Sequence, residues 1–339
     1  AFGEGNGNIR TSPRPVGLAM SGATLTFCSL HPTRDVVLGI RDLDLGNVLR
    51  AETWFTYPGG KALNAARTAG MLGGRSRAIV LSPPAWRGLL RGFLGRFRVG
   101  FTLLPVDAEG RVCVVLNEGG QGCARSRETV INTDLHLTLT GSQRTRLATV
   151  VRRASRRPGF LVLAGSLPPS LGLTAIRGLL RLASSGEAKL AVDQSGRWLR
   201  EAVRHRPWII KPNLHEFHGL LGRRTRTFGE LVAGCESLRA GGVGRILLSL
   251  GDKGALLVSP AGRWIASALP APAGALSPIG CGDALFGAFL RTVAAGGAEP
   301  EALAWGVAAG TANLAHRGAC LMTAGEIRPL VPKVRIRRA

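Results

Sequence analysis

Ser277-Pro278-Ile279-Gly280-Cys281-Gly282-Asp283-Ala284-Leu285-Phe286-Gly287-Ala288-Phe289-Leu290 joins a Gly-x-Gly-Asp turn to an apolar helix. Small residues at Gly280, Cys281 and Gly282 let backbone N–H groups at the helix start approach an anion, and the helix dipole adds positive potential there. Asp283, in the first helical turn, is placed to accept a proton from an alcohol that attacks a phosphoryl group. The competing reading is a glycine-rich turn with Asp283 as an ordinary N-terminal cap. The rest of the chain must decide between them.

Outward from that turn, apolar runs alternate with helical patterns. Phe160–Ala164, Leu190–Asp193, Trp208–Lys211, Arg245–Leu250 and Ala255–Ser259 read as strands separated by periodic helical stretches, which predicts a mostly parallel sheet covered on both faces. Upstream, Ala23–Leu30, Ala78–Leu81, Gly100–Pro105 and Arg111–Leu116 also read as strands, and 36–55 alternates enough to hold short ones. Gly59 and Gly60 open a helix of small and apolar residues running to Leu72. In doubly wound sheets ligands sit at the carboxyl ends of the strands. There fall Asp35, Gly165-Ser166, Lys211-Pro212-Asn213 with Glu216, and Ser249 to Gly254.

Composition narrows the class. The 339 residues, 45% of them hydrophobic, suffice for a large core, and no apolar run reaches the roughly 20 residues of a bilayer span. No membrane partner is expected. Forty-four basic against 21 acidic residues give a charge of +23, yet only five of the 44 are lysine. Scattered arginine with few interleaved aromatics argues against specific nucleic-acid binding and leaves at most a non-specific attraction. Six cysteines without a C-x-x-C favour reduced thiols and a cytoplasmic setting. His215 and His218 flank Glu216, but a zinc site needs more ligands than this neighbourhood offers. Residues 1–22 read as a disordered extension without the core of a signal peptide, with Met20 a candidate functional start. Residues 326–339 read as a basic tail.

Pro58-Gly59-Gly60-Lys61-Ala62-Leu63-Asn64-Ala65-Ala66-Arg67 and Ser277–Leu290 resemble the two signatures of the ribokinase-like PfkB carbohydrate kinases. Leu163–Pro169, Val192–Gly196, Lys211–Asn213 and Ser249–Leu256 match further segments in order. The similarity is greatest to the phosphosugar branch of 1-phosphofructokinase and tagatose-6-phosphate kinase. His31 stands where that branch carries Asn, and Arg34 where it carries an apolar residue.

The resemblance implies a doubly wound domain over 23–325 with a small β lid drawn from 36–57 and 100–139, and an ATP-dependent kinase of a ketohexose phosphate, fructose 1-phosphate or tagatose 6-phosphate. A kinase of a neutral sugar or nucleoside, and a non-catalytic kinase-like protein that binds RNA or a protein, are the alternatives. By the same resemblance Asp283 is the base, with Gly280, Cys281 and Gly282 as the anion turn. Asp35, Gly59, Gly60, Lys61, Asn64 and Arg111 would hold the sugar and its phosphate. Lys211, Ser249, Gly251 and Gly254 would face the nucleotide. Asn213 and Glu216 would organise Mg²⁺ through water, and a monovalent cation is a further candidate. A second copy of the chain, paired through the lid, is the candidate protein partner. Three of the five lysines (Lys61, Lys211, Lys253) fall in these loops, and an ammonium is not interchangeable with the guanidinium used elsewhere.

Overall fold

The computed structural model describes residues 22–119, 127–133, 137–272 and 275–339. Of the expected N-terminal extension, 1–21 lie outside them. The strands are β1 (Thr24–Ser29), β2 (Thr33–Ile40), β3 (Thr53–Gly59), β4 (Ser76–Ser82), β5 (Gly100–Pro105), β6 (Arg111–Glu118), β7 (Arg127–Asn132), β8 (Gly159–Ala164), β9 (Lys189–Asp193), β10 (Ile209–Ile210), β11 (Ile246–Ser249), β12 (Ala255–Ser259), β13 (Gly262–Ala266) and β14 (Ile336–Arg338). The helices are α1 (Lys61–Met71), α2 (Arg87–Arg96), α3 (Gly141–Ser155), α4 (Leu173–Ser184), α5 (Gly196–Val203), α6 (Leu214–Leu221), α7 (Phe228–Ala240), α8 (Cys281–Ala294), α9 (Glu299–Asn313) and α10 (Ala324–Ile327).

Ten strands form one sheet in the order β14-β13-β12-β11-β10-β9-β8-β1-β4-β5, parallel from β11 to β5 and antiparallel beyond. Both faces of the central strands are covered, so β8, β10, β11 and β12 are buried almost end to end rather than alternating. On β8, Phe160 and Val162 join the core under α1, α8 and α9, while Leu161 and Leu163 join the core under α3 to α7. Helix α8 packs between α1 and α9. Its Phe286 and Phe289 are fully buried, each worth roughly 2–3 kcal/mol of apolar burial. From β1 the chain runs through β4 to β5 on one side and returns through β8 on the other, which makes the β1–β8 boundary the switch point where ligands bind.

A second sheet, β3-β2-β6-β7, forms the lid. Val37, Tyr57 and Val115 bury its inner face, packed with Phe55, Phe93, Ile279 and Leu321, whereas Trp54 and Ile131 are exposed. Two expectations are corrected. Gly100–Pro105 is not a lid strand: it pairs in parallel with β4 and forms the edge of the main sheet, with α2 as its connection. Nor is 326–339 a free tail. Ile336–Arg338 pairs antiparallel with β13, and Val334 and Ile336 pack on the main core. The alternation of apolar and arginine side chains there is an edge-strand pattern, with charge turned outward to discourage further pairing.

Candidate active site

Helix α8 begins at Gly280, whose φ of 85° lies in the left-handed region and against whose Cα the backbone of Ala319 packs. Glycine alone meets both demands. No side chain caps this helix, so its first-turn N–H groups face outward from the turn. Cys281 is the exception: its N–H donates to the Pro278 carbonyl, and its thiol accepts from Asn313 Nδ2. Burial pushes that thiol up to about 11. Of the expected anion turn, Gly282 and Asp283 thus retain the donors. Asn313, absent from the sequence expectations, clamps the turn from α9 by donating to the Ile279 carbonyl (2.7 Å) and accepting from Cys320 N–H (2.6 Å).

Asp283 is buried, and Asn64 Nδ2 donates to its Oδ2 at 2.7 Å. Burial, then the charge of Asp193, raises its carboxyl above the ordinary range, against the pull of Lys61, Asn64 and Lys211. A buried carboxylate at a helix start with a raised pKa is suited to accept a proton from an alcohol.

Asp193, at the end of β9, organises the cations. Lys61 Nζ meets its Oδ1 and Lys211 Nζ its Oδ2, both at 3.0 Å. Asp193 and Lys211 are 1% and 4% exposed. Burial pushes Asp193 up, but Lys211 and Lys61 outweigh it and hold the carboxyl below its ordinary value. Lys61 is raised, first by Asp193. The ammonium of Lys211 also lies over the anion turn, 3.4 Å from where a Cβ on Gly282 would stand. Sequence reading included Asp193 in a matched segment without giving it a role. The signal was the pair of lysines in an arginine-rich chain, which require a buried carboxylate between them.

Two expectations shift. Lys61, expected on the substrate phosphate, is turned to Asp193 and, at 3.6 Å, to Glu216 Oε1. Asn64, expected on substrate, has its amide committed to Asp283 and to Arg67. Arg111 stands apart on the lid rim, donating to Ser166 Oγ (3.0 Å) and Asn132 Oδ1 (3.0 Å), with His31 Nδ1 against the same Ser166 hydroxyl at 3.3 Å. Asp35, on β2, accepts from Thr33 Oγ1 and Tyr57, and burial raises its carboxyl. It presses on Gly59, where any Cβ would collide with its carboxylate, and Gly60 follows with a φ of 100°.

Asn213 and Glu216 form a reciprocal capping box on α6: Glu216 N–H donates to Asn213 Oδ1 (2.8 Å) and Asn213 N–H to Glu216 Oε2 (2.9 Å). That leaves Glu216 Oε1 facing Lys61 and the cleft. The strand bridge from Asn213 to Ser249 brings Ser249 and the Gly251–Gly254 turn alongside. Lys253 is exposed on that turn. Among the described residues no three His, Cys, Asp or Glu side chains cluster as a metal cage, and His218 Nε2 bonds Thr225. No helix among them is long and apolar enough to cross a membrane.

A doubly wound sheet with a β lid and a buried carboxylate on an uncapped helix start beneath paired ammoniums is the architecture of a sugar kinase. The chain matches the pfkB family carbohydrate kinases over residues 34–324 and belongs to that family. It is a phosphotransferase with an alcohol group as acceptor. Among curated relatives, 1-phosphofructokinase of Borreliella burgdorferi is 25% identical, covering 91% of this chain and 96% of that protein. 1-Phosphofructokinase of Haloferax volcanii is 31% identical, over 78% and 82%. Among solved structures, phosphofructokinase-2 from Escherichia coli in complex with potassium superposes with a TM-score of 0.82 at 24% identity, covering 92% of this chain and 99% of that one.

Proposed function

We propose that this kinase transfers the γ-phosphoryl group of ATP to a hydroxyl of a ketohexose phosphate, with fructose 1-phosphate the first candidate. The observation that carries the reading is the meeting of Asp283, the uncapped α8 start and Lys211 at one point. In-line transfer needs a proton acceptor for the attacking hydroxyl and donors for the equatorial oxygens of the transferring group. Asp283 takes the proton; Gly282 and Asp283 N–H and Lys211 meet the oxygens. Lys61, fixed by Asp193, adds positive charge beside the base.

The acceptor's own phosphate falls to Arg111 and Ser166. Arg111 is a bidentate donor whose present partners are all neutral, the Ser166 hydroxyl, the Asn132 amide oxygen and the Thr133 carbonyl, and a phosphate displaces the first two with gain. Asp35 is placed for sugar hydroxyls. The residues also fit Mg²⁺: Glu216 Oε1, left out of the capping box and held only loosely by Lys61 at 3.6 Å, can join water and phosphate oxygens around an ion that binds through few carboxylates. When bound there, Mg²⁺ supplies neutralisation of the polyphosphate. The exposed Trp54 and Ile131 on the lid's outer face support pairing with a second copy.

A panel of fructose 1-phosphate, tagatose 6-phosphate, fructose 6-phosphate, fructose and adenosine with Mg-ATP, read as ADP formed, tests the reading. A kcat/KM higher on a phosphosugar than on fructose or adenosine supports it. The reverse order overturns it.

A further inference from the structure

Arg67 heads the fully buried side chains by size. It lies one turn after Asn64 on α1. Among the described residues its guanidinium makes no hydrogen bond to a carboxylate; a carboxyl that feels its charge is Asp35, which burial pushes up and Arg67 draws down. Nη1 donates to the Pro58 carbonyl (2.6 Å), and Nη2 donates to Asn64 Oδ1 (2.7 Å) and the Ala319 carbonyl (2.5 Å). Tyr57, Phe93 and Phe97 rings lie 5.1, 4.9 and 5.8 Å from it. Burying a guanidinium whose hydrogen bonds all go to neutral oxygens is costly, and an apolar residue of like volume commonly serves stability as well. The placement calls for another explanation.

The three acceptors belong to three parts of the site. Pro58 precedes Gly59 and Gly60, where the lid strand β3 hands over to α1. Ala319 packs against Gly280 of the anion turn, and its N–H donates to the Tyr57 hydroxyl, which in turn bonds Asp35. Asn64 holds the base. Because a guanidinium has donors only, it fixes the Asn64 oxygen toward itself and so turns Nδ2 toward Asp283. A flipped amide would set its oxygen against the carboxylate.

We propose that Arg67 is a positioning residue that locks the Asn64 amide onto Asp283 and ties that lock to the β3–α1 junction of the lid and to the backing of the anion turn. It touches neither substrate nor reacting atoms. The inference rests on Asp283 being the base.

The test is steady-state kinetics of the full chain with Mg-ATP and the best phosphosugar of the panel. Arg67→Lys keeps the charge but gathers its donors on one nitrogen, which cannot reach all three acceptors. It should lower kcat by about ten-fold while KM for ATP stays within about two-fold. Asn64→Ala should lower kcat at least as much, and the double variant should be no worse than Asn64→Ala alone, because both act through one contact. Multiplying losses, or an unchanged kcat in a folded Arg67→Lys, overturns the proposal. Should Arg67→Lys not fold, Phe93→Leu loosens the aromatic floor beneath the guanidinium. A kcat loss that disappears in the Asn64→Ala background supports the lock, and one that persists there, or no loss, refutes it. Asp283→Asn separates the two failures: retained turnover in that variant removes the base, whereas lost turnover beside additive Arg67 and Asn64 effects removes only the lock.

Discussion

The floor of the cleft and the rim of its lid handle charge in opposite ways. On the floor, Asp193, Lys61, Lys211 and Asp283 lie at the switch point of a ten-stranded sheet, and each is engaged by the protein before any ligand arrives. On the rim, Arg111 leans on the neutral Ser166 and Asn132 side chains, and in the proposed reading an incoming anion replaces them. The floor is preorganised for a charge that develops during reaction. On the proposed reading the rim waits for a charge the substrate brings with it. Transition-state stabilisation should therefore concentrate on the floor and ground-state recognition on the rim.

The largest departure is expected from Asp193→Asn. It leaves two ammoniums around a neutral amide, one of them buried, which should destabilise the fold by about 3–5 kcal/mol and lower kcat by about 10³ as the cations lose their positions. Denaturant unfolding and initial rates check it; an unaltered midpoint would show that the floor is not held by this carboxylate. Next comes the contrast itself. Arg111→Ala should raise KM for the phosphosugar by about 10²-fold with kcat nearly intact, while Lys61→Met should lower kcat more than it raises either KM. If both variants behave alike, the division into floor and rim dissolves.

A smaller effect sharpens it through pH. The Asp283 pKa is raised, so kcat/KM should fall on the acid side above the ordinary carboxylate range, as the base becomes protonated. Lys61 lowers that pKa, against the upward push of burial and Asp193, with Asn64 and Lys211 acting alongside it. Lys61→Met should therefore move the acid limb to higher pH, whereas Arg111→Ala should leave it in place. A pH–rate series on the two variants reads the difference.

The glycine turn before α8, the two-glycine start of α1 and the strand–helix alternation were legible in the sequence because each is local: positive φ, close approach and apolar run length are written in neighbouring residues. Partnership is not. Gly100–Pro105 has the composition of any strand, and only its pairing with β4 assigns it to the main sheet. Asp193 meets Lys61 across 132 positions, so its role appears only when the sheet brings three strand ends together. Arg67 looks like a polar interruption of an apolar helix face, and α2 and β3 bring the rings that surround it. The basic C-terminal residues read as a solvated tail because their charges outweigh the apolar side chains, Ile327, Leu330, Val331, Val334 and Ile336, that hold them down.

Asp283→Asn offers the most direct measurement: turnover with Mg-ATP and phosphosugar, beside nucleotide binding to the same protein by titration calorimetry. The substitution keeps volume and most hydrogen bonding but removes the proton acceptor. ATP affinity within about three-fold of the parent, with kcat lower by about 10³ or more, is the predicted result. Near-parental turnover in a variant that binds ATP normally would contradict the account.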